Sequence, residues 1–368
     1  MQDYLAKLNP SQQAAVTATD GAVMVIAGAG SGKTRVLTYR IAYLMDAKGV
    51  DPFNILSLTF TNKAAREMKE RIGTIVGASE AKNLWMGTFH SIFARILRVE
   101  ADKIGYPSNF TIYDAEDAVK AVSNVIKELN LDKEIYKPKS VMRRISAFKN
   151  GLVTPKEYTK SPELQEQDAA ARMPLMGDIY KTYVERCFRA GAMDFDDLLL
   201  NTYLLLRHFP NVLAKYQYRF RYIMVDDYQD TNHAQYLIVK ALANRYGNIC
   251  VVGDDAQSIY AFRGANIQNI LNYQRDYDEV KVFKLEQNYR STKNIVGAAN
   301  SLIKKNRDQL HKEVWTSNDQ GDQITLHKTV SDNDEASYVA RMIFERQMNL
   351  HLDYKDFAIL YRTNAQSR

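Results

Sequence analysis

One short run constrains this chain more than any other: Ala27-Gly28-Ala29-Gly30-Ser31-Gly32-Lys33-Thr34. It follows the apolar stretch Val23 to Ala27 and opens the helical pattern Arg35 to Leu44, so it occupies a strand-to-helix turn. Glycines at such a turn let backbone N–H groups converge on phosphate oxygens, and the helix N-terminus behind them adds its dipole. In that setting Lys33 neutralises the β- and γ-phosphates and the Thr34 hydroxyl completes a Mg²⁺ shell. Ala27 stands where a glycine is usual, a tolerable change at a strand end.

A buried strand feeding this loop calls for an α/β fold, and the rest of the chain agrees. Ile55 to Phe60, Tyr222 to Asp226, Ile249 to Gly253 and Val280 to Leu285 are further apolar runs, separated by helical patterns. Continuous apolar runs of this length suit a parallel sheet covered on both faces, hence a doubly wound α/β class. The stretch from Thr111 to Ala192 reads as a helical insertion. Asp114 and Asp117 offer a helix start, and Val119, Val122, Ile126 and Leu129 share one face. A second helix runs from Ser140 to its cap at Gly151, Thr154-Pro155 opens another, and Ile179 to Phe188 supplies a further apolar face. Beyond Asn288 a second α/β pattern begins, with strands expected at Ile324 to Val330 and Phe357 to Tyr361 around a helix from Glu335 to Met348.

At 368 residues the chain exceeds one ordinary domain. Its longest apolar stretch, Ala22 to Ala29, is far short of the roughly 20 residues a membrane helix needs, and the N-terminus has no apolar signal core. Cys187 and Cys250 lack metal-ligand spacing and the histidines are scattered, which argues against a zinc site or a disulfide framework and for a cytoplasmic protein. Forty-nine Lys and Arg against 43 Asp and Glu leave a net charge of +6, which permits a polyanionic partner without requiring one.

Two further clusters carry chemistry. Tyr222-Ile223-Met224-Val225-Asp226-Asp227 ends an apolar strand in two carboxylates: Asp226 suits Mg²⁺ held through water, Asp227 the base or positioner of an attacking water. Val252-Gly253-Asp254-Asp255-Ala256-Gln257 ends another strand, and Gln257 is placed to report the γ-phosphate. Tyr260, Phe262 and Arg263 follow it, an aromatic and cationic group suited either to stacking on bases or to core packing. The basic stretch Lys137, Lys139, Arg143, Arg144 and Lys149 reads either as a guide for nucleic-acid backbone or as a solvated helix face.

Together these motifs resemble the N-terminal half of superfamily 1 DNA helicases of the UvrD/Rep/PcrA type, from Leu8 to Arg368. Leu8-Asn9-Pro10-Ser11-Gln12 resembles the family's adenine-reading element, which implies that Gln12 contacts the base edge. The nucleotide set the resemblance implies is Gln12, Ala27, Gly28, Ala29, Gly30, Ser31, Gly32, Lys33, Thr34, Arg35, Tyr289 and Arg290. Within Gln287-Asn288-Tyr289-Arg290-Ser291, Tyr289 would stack on adenine and Arg290 would reach the γ-phosphate. Leu58 to Ala65 and Gly87-Thr88-Phe89-His90-Ser91 resemble two single-strand-binding motifs. They imply a DNA track of Phe60, Thr61, Asn62, Thr88, Phe89 and His90, joined by Tyr260, Phe262 and Arg263. Met193 to Leu198 and Leu360 to Arg368 are further hallmarks.

The resemblance implies an ATP- and Mg²⁺-dependent 3′→5′ translocase that unwinds DNA from single-stranded tracts and single-strand/duplex junctions. It would act as a monomer in repair or replication, alongside proteins of those processes and without a membrane. It also implies a RecA-like lobe (1–110 and 197–287), a helical subdomain (111–196) and part of a second RecA-like lobe (288–368). Where the family has glutamate this chain has Asp227, which points to slowed hydrolysis; Ala256 and Phe262 replace a residue that is commonly acidic and one that is often tryptophan. The family pattern continues past Arg368 into a mobile subdomain and a second arginine, so the expectation for these residues alone is binding without unwinding. Two other readings stay open: a nucleotide-gated single-strand-binding module, and the ATPase half of a helicase–nuclease.

Overall fold

The computed structural model describes residues 4–261, 264–307 and 309–363. It forms two compact units, residues 1–320 and 321–368.

The first unit is built on six parallel strands: β1 (Val23–Ala27), β2 (Ile55–Thr59), β3 (Trp85–Thr88), β6 (Tyr222–Val225), β7 (Ile249–Gly253) and β8 (Lys281–Leu285). They lie in the order β3-β2-β6-β7-β1-β8. Successive side chains of a strand point to opposite faces, so a strand buried on both sides must be apolar throughout. Met24, Ile26, Leu56, Leu58, Ile223, Val225, Ile249 and Val251 pack on one face beneath helices Phe89–Val99, Phe195–His208 and His233–Ala243. Val23, Val25, Ala27, Ile55, Met224, Cys250 and Val252 pack on the other, beneath Pro10–Thr17, Lys33–Asp46 and Asn62–Val76. This is the doubly wound arrangement expected.

Strand β3 was not legible in the sequence. Its four residues, Trp-Met-Gly-Thr, carry no continuous apolar run. Packing makes it a strand: the Trp85 ring meets Phe220 edge-on at 5.3 Å, and the Arg95 guanidinium lies 3.8 Å from its centre.

The helical insertion leaves the lobe at β4 (Thr111–Tyr113) and returns at β5 (Ala192–Asp194), and these two strands pair in parallel. Its core joins Val122, Ile126, Val141, Ile145, Phe148, Ile179, Tyr180 and Tyr183. Asp114 and Asp117 form the expected reciprocal cap. Gly151 caps the helix Pro138–Asn150, but the left-handed step falls on Leu152 at φ +60°.

The basic stretch divides: Lys137, Lys139 and Arg143 are exposed, whereas Arg144 and Lys149 are paired with acids. Lys149 is fully buried, its Nζ 2.7 Å from both Asp194 Oδ2 and Asp197 Oδ1, and Arg144 pairs with Asp168 at 2.7 Å. Burial and the neighbouring negative charges hold Asp197 up at about 7, against the pull of Lys149. A buried cation this well partnered ties the insertion to the lobe.

The compact unit that holds the main sheet runs on to residue 320. The reason is hydrogen bonding. Asn288 N donates to Trp315 O at 2.7 Å, Trp315 N to Glu286 O at 2.9 Å, and Lys312 sits on Asp254 at 2.9 Å.

In the second unit the expected helix is present as Asp332–Leu350, capped by the Ser331 side chain. The expected strands at 324–330 and 357–361 are not: neither carries a ladder, and Leu326 and Val330 are 95% and 98% exposed. An apolar run reads as a strand from its sequence, but it becomes one only where a neighbour takes its backbone hydrogen bonds.

Candidate nucleotide and nucleic-acid site

Because all six strands of the main sheet are parallel, their C-terminal ends share one edge, where open α/β sheets bind ligands. Nearly every residue singled out from the sequence lies there. The phosphate loop follows β1, Phe60 and Thr61 follow β2, and Phe89 and His90 follow β3. Asp226 and Asp227 follow β6, the 254–260 segment follows β7, and Tyr289 and Arg290 follow β8.

The phosphate loop leads directly into the helix Lys33–Asp46. Gly30 has φ +68°, and a Cβ there would lie 2.8 Å from Asn288 Nδ2 and 2.9 Å from Arg290 Cβ, so only glycine fits. Ser31 is buried and its Oγ donates to Gly28 O at 2.7 Å. Asn288 fastens the far side: Nδ2 donates to Ala29 O at 2.7 Å, while Oδ1 accepts from Arg290 N and Ser291 N at 2.8 and 2.7 Å. Asn288 had been read only as part of a motif; it is the clip between the loop and Arg290.

Gln12 lies against the phosphate loop. It is 2% exposed and both arms of its amide are engaged: Nε2 donates to Ser31 O at 3.0 Å and Oε1 accepts from Asn9 N at 3.1 Å. These contacts brace the loop. Tyr289 is 47% exposed, and its hydroxyl accepts from Asn9 Nδ2 at 2.7 Å and donates to Gln287 Oε1 at 2.9 Å, leaving ring surface open. Arg35 lies 5.6 Å from the Tyr39 ring centre and, with Tyr4, Lys7 and Arg71, lines a cavity of about 670 Å³.

The carboxylate cluster faces Lys33. Asp227 Oδ1 is 3.5 Å from Lys33 Nζ, and the Asp227 backbone is left-handed at φ +47°. Asp226 is buried; desolvation and then the Asp227 charge push its carboxyl up to about 7, against the pull of Lys33. Desolvation and Asp227 likewise raise Asp230 to about 6, and Asp230 Oδ1 is buried with no hydrogen-bond partner. Three crowded carboxyls with one nearby lysine form a site short of positive charge. Among the described residues no group of three or more His, Cys, Asp or Glu is arranged to hold a metal ion.

Gln257, expected to watch the phosphate, is exposed and its Nε2 donates to Asp254 Oδ2 at 2.6 Å. The glutamine beside the carboxylates is Gln229. It is 1% exposed, with Nε2 3.4 Å from both Asp227 Oδ1 and Asp230 Oδ2. Sequence reasoning missed it; its only signal was a position two residues past the acidic pair.

A cavity of about 560 Å³ adjoins this cluster, with Asp227 and Asp230 in its wall. Phe60, Thr61, Thr88, His90 and Tyr260 line it, so the structure brings these candidate residues together. His90 stands edge-on to Phe195 at 5.7 Å, and burial lowers its pKa, which favours neutral imidazole. Phe89 lines it as well, though its ring is only 1% exposed and tilts against Phe60 at 5.3 Å. Asn62 lines a separate groove of about 320 Å³ together with Arg66 and Lys69. Phe262 and Arg263, and Asn364 to Arg368 of the last motif, lie outside the described residues.

The insertion's share in the cavity carries no sequence signal. Asn150 Nδ2 donates to Asp196 Oδ1 at 2.8 Å and Asn150 Oδ1 accepts from Asn232 Nδ2 at 2.8 Å; all three line it.

The family model described as the UvrD/REP helicase N-terminal domain matches residues 8–278, and that of the UvrD-like helicase C-terminal domain matches residues 283–368. The chain is 49% identical over all 368 residues to the ATP-dependent DNA helicase PcrA of Staphylococcus epidermidis, and 48% identical to that of Staphylococcus aureus. Each alignment covers 100% of this chain and 49% of the relative, so the chain spans about half the length of the curated relatives it matches.

Proposed function

We propose that this chain, which belongs to the UvrD/REP helicase family, binds ATP and single-stranded DNA in adjoining sites and couples hydrolysis at one to 3′→5′ movement along the other. The observation that carries the reading is the shared wall: Asp227 lines the track cavity and also pairs with Lys33 of the phosphate loop at 3.5 Å. A change at the phosphates therefore acts directly on the floor of the track.

In this reading Lys33 and Arg290 take the phosphates, Tyr289 and Arg35 flank the base, and Gln12 holds the loop in shape. Phe60 and Tyr260 offer ring faces to bases, each stacked base being worth roughly 1–3 kcal/mol. The acidic floor repels phosphate and favours a strand lying with its bases inward.

Asp226 and Thr34 fit a Mg²⁺ ion shared with the phosphates. Asp226 is buried beside Asp227, so a cation there would offset the negative charge the two share. When bound, the ion neutralises charge on the β- and γ-oxygens. Asp227 orients the attacking water and accepts its proton. The substrates follow as single-stranded DNA and single-strand/duplex junctions, and the setting as repair or replication in the cytoplasm.

A second reading, nucleotide-gated DNA binding without turnover, draws on the short reach of Asp227. Steady-state ATP hydrolysis with Mg²⁺, with and without single-stranded DNA, separates the two. DNA-stimulated turnover is expected for the motor; nucleotide binding with no turnover supports the gated module, and absence of nucleotide binding refutes both.

A further inference from the structure

We infer that Gln229 is a positioning residue that links the nucleotide site to the DNA track, an inference that rests on the two sites proposed above. Gln229 lies in the short turn Tyr228–Asp230, just past the carboxylate pair. Its side chain is the single polar group that touches both the Asp227 carboxylate and the turn after β7 among the contacts described here. At one end Oε1 accepts from Asp254 N at 3.0 Å. At the other, Nε2 reaches Asp227 and Asp230 across 3.4 Å each, longer than a normal N–H···O bond. The amide is thus well anchored to β7 and loosely held by the carboxylates.

Steric crowding fixes what it can do. A Cβ on Gly253 would meet Gln229 Oε1 at 2.6 Å, so the glycine lets the amide lie against the end of β7 with no slack in that direction. Displacement of Asp227, when Lys33 turns from it to a phosphate, changes the pull on Nε2, and the anchored end passes it to Asp254. Asp254 is itself a hub. Its carboxylate accepts from Ala256 N at 3.1 Å, Gln257 Nε2 at 2.6 Å and Lys312 Nζ at 2.9 Å. The turn it organises, Asp255–Gln257, runs on to Ser258, whose Oγ donates to Gln229 O at 3.4 Å, and then to Tyr260 in the wall of the track. Two contacts from one buried residue therefore connect the hydrolysis site to the segment that faces DNA.

Coupling between two sites is reciprocal and is read as a ratio of affinities. A fluorescent single-stranded oligonucleotide is titrated into the 368-residue chain with and without a non-hydrolysable ATP analogue and Mg²⁺. Typical coupling gives a ratio of about 5- to 150-fold between the two dissociation constants. Gln229→Met, which keeps the length and loses both polar arms, should bring that ratio to within about twofold of unity. DNA affinity without nucleotide, and nucleotide affinity without DNA, should each stay within about threefold of the unaltered chain, because Gln229 touches neither ligand. Gln229→Glu keeps the acceptor for Asp254 N and loses the donors; its near-identical shape carries the test if the methionine variant melts early, and it too should lose the ratio.

An unchanged ratio in both variants overturns the inference. So does a parallel fall in both separate affinities with the ratio intact, the mark of a merely structural residue. An unaltered chain that binds both ligands without coupling also overturns it while leaving the proposed sites standing. Failure to bind nucleotide at all overturns the proposed function, and the inference with it.

Discussion

The Asp227 side chain provides the sharpest test of the nucleotide site. Its carboxylate ends 3.5 Å from Lys33 Nζ, beyond the roughly 2.7–2.9 Å of a charge-assisted hydrogen bond. A glutamate at this position has one more methylene, which extends the reach by about 1.5 Å along an extended side chain. That exceeds the ~1 Å misplacement able to cost about 10²-fold in rate. Asp227→Glu should therefore raise kcat for ATP by up to about 10²-fold, or roughly 2.7 kcal/mol of barrier. KM should move little, since Lys33 and the loop are untouched. The left-handed backbone at φ +47° suits aspartate better than glutamate, so the same substitution should cost less than about 1 kcal/mol of stability. Steady-state turnover at saturating single-stranded DNA, with a thermal melt of the same samples, reads both effects. An unchanged or lower kcat in a well-folded variant refutes the argument from reach.

Three more outcomes follow from the geometry. Asp226 is held up at about 7 against an unfolded value near 3.8, so its contribution to stability is complete below that lower value and fades as pH rises through 7; Asp226→Asn should raise Tm more at pH 8 than at pH 5, and equal shifts at both would exclude this assignment. Lys149→Met leaves Asp194 and Asp197 buried without their cation and should cost about 3–5 kcal/mol in urea unfolding, against less than about 1 kcal/mol if the pair were in effect solvated. Phe60→Ala should weaken single-stranded DNA binding by about 1–3 kcal/mol with nucleotide affinity unchanged, whereas a matching loss of nucleotide affinity would show that the ring serves the fold and not the track.

The strands of the first unit were legible because both faces of the sheet are covered: Val23 to Ala27 and Ile249 to Gly253 have no choice but to be apolar throughout. The loop at Gly30 was legible because glycine's conformational freedom is written in its identity. Strand β3 was not, since it depends on Trp85 finding Phe220, more than a hundred residues away. The same limit hid Asn288, Asn150 and Gln229: each is an ordinary amide whose role comes from what the fold brings to it. It also misled in the other direction. Lys149 looks like surface charge until Asp194 and Asp197 are seen on either side of it.

The ion cluster at Lys149 bears on how such a protein can change over evolution. The lysine belongs to the helical insertion, while Asp194 and Asp197 stand at its return, in β5 and the first turn of the helix Phe195–His208. An exchange that brought in a foreign insertion between β4 and Ala192 would leave two acids in the interior with no counter-charge. The insertion is therefore not a cassette. Its boundary is drawn by charge as well as by chain continuity, and a viable recombinant must carry the lysine and its two acids as one inherited set.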